Sequence, residues 1–167
     1  METLKERTVR YLKDIHAAEK GLLDLLDNLA KDADAPGELG LICKDAVLDS
    51  EHRQSVLADR LKEMGSQPSG LKDFTNSAIG LVVDAMNAGH GRDDKRTMDV
   101  IKAHAGCHLL HGSYLALEAF ASWVNDDSTA TMAHLHRKET EDAAGKLLPG
   151  IQTCARWVAR DEPAMAP

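Results

Sequence analysis

Five side chains carry the chemistry this sequence could do: Glu19, Asp49, His108, His136 and Glu139. Glu19 poses the question most sharply. It falls among Leu12, Ile15, Leu22 and Leu26, and at about 3.6 residues per turn those positions share one helix face, so the carboxylate points where the leucines point. An inward carboxylate is costly unless it is paired, protonated or bound to a metal. His136 and Glu139 repeat the pattern further along. They lie three residues apart, His136 near the centre of a stripe of Met132, Ala143, Leu147, Cys154 and Val158, which is the spacing by which one bundle helix presents two ligands to one ion.

His108 sits, on the same count, in the middle of an apolar face of Met98, Ile101, Ala105, Leu115 and Ala119, with His104, His111 and Cys107 close by. Asp49 borders a stripe of Cys43, Val47, Leu57, Leu61 and Met64 that is centred on Ser50 and Gln54, where it could act as a bridging or outer carboxylate. Arg53 lies on the same border. His52 points almost the opposite way and is set aside as a surface or dimer-contact residue. Imidazole nitrogen and carboxylate oxygen together suit iron, manganese or zinc. The same inward groups could also close on themselves without metal, as a hydrogen-bonded network with Arg53 as the resident cation. On residues alone both readings stand.

The elements that must position these groups are helices. Alanine and leucine are abundant, alternating β-branched strings are missing and only 4% of residues are aromatic, a balance that favours helix over sheet. Breakers divide the chain into four long helical stretches. They run from about 2 to 34, 38 to 64, 93 to 124 and 129 to 160, with Ala35-Pro36-Gly37, the turn-rich 65–70 segment and Asn125-Asp-Asp-Ser128 between or beside them. Pro149-Gly150 should kink the last. A shorter amphipathic piece at 71–87 reads as a crossover helix, and the order long, long, short, long, long is that of an all-α, ferritin-like four-helix bundle with one long crossover. Residues 1–160 form one domain on this reading, and 161–167 a frayed tail.

Composition narrows the partners. A chain of 167 residues with 43% hydrophobic content supports one core. Its net charge of −7 works against nucleic acid and anionic membranes as partners. No apolar run approaches the roughly 20 residues needed to span a bilayer, and the charged start lacks a signal-peptide pattern, so a cytoplasmic protein is expected. Cys43, Cys107 and Cys154 lie too far apart for a C-x-x-C site and read as reduced core residues.

With these residues in hand, the chain resembles the YciF/YciE-type branch of ferritin-like proteins over about residues 4–158. Helix one carries the strongest likeness: Leu12-Lys-Asp14-Ile-His-Ala-Ala18-Glu19-Lys20-Gly-Leu22-Leu23 is similar to the family's Asp-Ile-x-x-Ala-Glu-Lys-x-Leu opening. Asp49-Ser50 with Asp59-Arg60-Leu61 and Gly65 resembles its second helix, His108 with Tyr114 its third, and Glu139 with Lys146-Leu147 its fourth. The resemblance implies a bundle with a crossover helix, a homodimer, an association with bacterial stress and a di-iron or similar centre. It puts Glu19, Asp49 and Glu139 at carboxylate positions and His108 at the motif histidine.

This sequence also departs from the family. Cys107 and Leu110 stand where the third helix has its two glutamates, Arg53 stands near a Gln or His position, and Ala144 replaces a fourth-helix aspartate. A ferritin-type di-iron site takes about four carboxylates and two histidines, so a rapid ferroxidase is not expected. Two functions follow as expectations. One is a stress-associated protein holding metal at Glu19, His108, His136 and Glu139 with Asp49 behind them; the other is a metal-free dimer serving as a structural or partner-binding module. A hemerythrin-type oxygen carrier would need a larger histidine set.

Overall fold

The computed structural model describes residues 2–68 and 94–161, which form four helices: α1 (Leu4–Ala30), α2 (Leu39–Glu63), α3 (Lys95–Trp123) and α4 (Asp127–Asp161). The expected crossover helix at 71–87 and the tail beyond 161 lie outside the described residues. Pairings along the helices give their directions. Asp32 meets Arg96 and Tyr11 meets Phe120, so α1 and α3 run antiparallel. Arg60 near the end of α2 meets Asp126 just before α4, so these two are antiparallel as well. Since α1 also packs on α2, and α3 on α4, each helix has two main neighbours, while α2 and α3 run parallel across the diagonal. Parallel helices on a diagonal cannot be joined by a tight turn, which is why the chain between them is long.

Local chemistry sets the helix ends. Thr3 and Glu6 form a reciprocal capping box at the start of α1. The helix was expected to reach residue 34 but stops at Ala30, because Asp32 accepts from the Asp34 amide and is held by Arg96. α2 closes with Gly65 at φ +73° and paired bonds from the Ser66 amide to Leu61 and from the Gly65 amide to Lys62, and α3 closes the same way on Asn125 at φ +56°. Both are Schellman caps, with the left-handed position filled by the two residue types that tolerate it. Asp126 then caps α4 by accepting from the amide and hydroxyl of Thr129. α4 runs on through Pro149, where a kink was expected. Gly145, whose carbonyl loses its usual donor there, is exposed to water.

The faces of α1 and α4 are those expected, but α3 is rotated from the expected face. Its buried residues are Val100, Lys102, Ala103, Cys107, Leu110, Tyr114, Leu117 and Ala121, whereas Ala105, His108, Leu115 and Ala119 face out. Apolar side chains occur on every side of this helix, so their spacing alone selects no face. The choice falls to the largest surfaces, and burying Tyr114, Leu110 and Leu117 removes more area from water than the alternative. α2 is turned slightly so that Arg53 moves from border to interior, 1% exposed, leaving Gln54 half-buried.

Candidate functional site

The four inner faces meet at Glu19. α1 carries it inward between Ile15 and Leu22, and the carboxylate is wholly shielded from solvent. All its capacity is used. Oε1 accepts from Arg53 Nε at 2.6 Å and Tyr114 OH at 2.8 Å; Oε2 accepts from Ser50 Oγ at 2.8 Å and Arg53 Nη2 at 3.2 Å. Ser50 and Arg53 reach it together because residues three apart on α2 share a face. The Arg53 fork is bidentate, the geometry in which a guanidinium binds a carboxylate most strongly. Its remaining nitrogen, Nη1, lies 3.7 Å from Glu139 Oε2 on α4, an ion pair beyond hydrogen-bond length.

Burial and charge shape the titrations around this pair. Burial opposes the charge on Arg53, but the Glu19 carboxylate outweighs it and holds the guanidinium cationic. Burial, reinforced by Glu19, pushes the Tyr114 hydroxyl well above the usual phenol range, so it remains a donor. His136 packs edge-on against Tyr114, with ring centroids 5.3 Å apart, and burial with the nearby Arg53 charge lowers its pKa to about 4. It is therefore neutral at physiological pH. Burial likewise raises the Cys107 thiol to about 12 and the Cys43 thiol to about 11, so these cysteines are inert packing groups.

The five sequence-derived candidates do not gather at one point. Glu19 and His136 are buried near Arg53 and Glu139 approaches Arg53 from a half-exposed position on α4, whereas Asp49 lies exposed on α2 and His108 exposed on α3, its ring against His104. Among the described residues, no three His, Cys, Asp or Glu side chains converge at metal-ligand spacing. The donor set does not fit a divalent metal centre of the ferritin type. A divalent ion about 4 Å from the Arg53 charge would be repelled by roughly 8 kcal/mol at an effective dielectric near 20, and Glu19 has no free lone pair aimed at it.

Tyr114 is the site residue that spacing did not single out. It could have been found by placing the large side chains at 107, 110, 114 and 117 on one face, which brings its hydroxyl to the depth of Glu19. Arg53 was legible as a cation able to pair with Glu19 or Glu139, and it meets both.

A family model described as "Domain of unknown function (DUF892)" matches residues 3–155. Among solved structures, a protein from Xanthomonas campestris is similar at 18% identity and a TM-score of 0.76, over 94% of this chain and 96% of that one. The E. coli stress protein YciF is similar at 16% identity and a TM-score of 0.73, over 93% and 99%. A Bacillus anthracis structure described as ferritin-like and diiron-carboxylate shows 13% identity and a TM-score of 0.61, over 95% and 99%. Likenesses at this identity show the fold, a ferritin-like four-helix bundle. No curated protein sequence matches the chain.

Proposed function

The chain belongs to the DUF892 family, and from that premise we propose that it is a cytoplasmic, stress-associated ferritin-like protein in which an internal ion pair replaces the metal centre of the fold. The observation that carries this is Arg53, fully buried, bonded to both oxygens of Glu19 and paired with Glu139. The guanidinium supplies the positive charge that a metal ion would otherwise bring between these carboxylates. The protein then acts through its surface, as a homodimeric structural or partner-binding module. Leu41 and Leu48, 65% and 64% exposed on one side of α2, offer the apolar area for a second copy.

A metal-binding reading is favoured by a separate observation. His136 Nδ1 and Glu139 Oε2 are buried without a hydrogen-bond partner, and buried polar atoms left so are uncommon. On that reading Glu19, His136 and Glu139 hold iron, manganese or zinc after Arg53 withdraws, without Asp49 and His108, which face outward. Metal analysis separates the two. Protein purified without chelator and passed through a desalting column is expected to retain well under one equivalent of metal, and Arg53→Gln to raise uptake. A full equivalent in the wild type, lost on Glu19→Ala, would overturn the ion-pair reading.

A further inference from the structure

The histidines that α3 turns outward form a second arrangement, separate from the interior pair. His104 and His108 are one turn apart, and their rings meet edge to face with centroids 4.6 Å apart. His104 Nδ1 lies 3.0 Å from the main-chain carbonyl of Ala144 on α4. A carbonyl oxygen only accepts, so Nδ1 carries a proton, and in the neutral ring this leaves the lone pair on Nε2. A backbone contact of this kind, which fixes the tautomer and ring orientation while leaving the other nitrogen basic, is the usual support of a metal-ligating histidine. His108 is exposed and has no hydrogen-bond partner among the described residues. The two imidazoles therefore stand as neighbours, His108 exposed and His104 half-buried with its ring already oriented.

We propose that His104 and His108 form a bidentate surface site for a divalent transition ion of the imidazole-preferring class, such as zinc, nickel or copper(II). The i,i+4 spacing lets two imidazoles on one helix face reach one ion. Water completes the coordination, because only two protein ligands are supplied. Such a site exchanges its ion freely and is lost on desalting, which sets it apart from any tightly held interior metal. The acidic surface of the chain, with a net charge of −7, works in favour of cation binding.

The test uses the full chain, stripped with chelator, dialysed, and titrated with zinc against a chromophoric indicator. One zinc per chain is expected at micromolar concentration, weakened roughly ten-fold or more by either His104→Gln or His108→Gln and unchanged by His52→Gln. Both target side chains lie off the core face, and a wild-type measurement needs no variant at all: in nitrogen NMR, zinc should shift His104 Nε2 while Nδ1 stays protonated. No zinc binding, full binding in both target variants, or a loss that follows His52→Gln would each overturn the site.

Discussion

Replacing Arg53 by Gln should be among the most damaging single changes in the bundle. The guanidinium is 1% exposed and provides two of the four hydrogen bonds that the fully buried Glu19 carboxylate accepts. Glutamine cannot reproduce the charge or the fork, so Glu19 would keep only Ser50 and Tyr114 as partners. Stranding one member of a buried pair costs about 3–5 kcal/mol. With a urea slope of about 2 kcal/mol per M for a domain of this size, the midpoint should fall by roughly 1.5–2.5 M at unchanged slope. The double variant Glu19→Gln with Arg53→Gln should recover part of that loss, since it removes both charges together. A coupling of about 2 kcal/mol in the resulting cycle is expected. An Arg53→Gln cost below about 1 kcal/mol, or a double variant whose loss is the plain sum of the singles, would refute the claim that this pair is buried and mutually satisfied.

Other changes test neighbouring parts of the same construction. Tyr114→Phe removes one donor to a charged acceptor without altering packing and should cost about 1.5–3 kcal/mol by urea unfolding; a cost near zero would mean that the hydroxyl does not reach Glu19. His136 has a folded pKa lowered from 6.5 to about 4, so the unfolded chain takes up its proton first as the solution is acidified. Its contribution is present above pH 6.5 and is lost as pH falls toward 4, by on the order of 3 kcal/mol, and His136→Gln should flatten that part of the stability profile. Asp126→Ala removes the cap of α4 and a partner of Arg60, and should lower stability by about 1–2 kcal/mol; an unchanged melting temperature would show the cap to be idle. Sedimentation at micromolar concentration should give a dimer that Leu41→Glu with Leu48→Glu dissociates, and a wild-type monomer would remove that proposal.

Much of the architecture was legible in the residues because local chemistry specifies it. Leucine spacing in α1, the Gly65 stop and the Asn125-Asp-Asp turn each act over a few residues, so they can be read without knowing what packs where. The inward Glu19 and the possibility that Arg53 answers it were legible for the same reason: a charge in an apolar stripe demands a partner. What the residues by themselves left undecided is the rotation of α3. Its apolar side chains surround the helix, so only the combined packing against α1 and α4 selects Tyr114 for the core and turns His108 outward. That rotation of one helix separates His108 from Glu19, and it decides which nitrogens and oxygens can meet. A network of this kind is a property of four surfaces at once, and no single helix contains the information to place it.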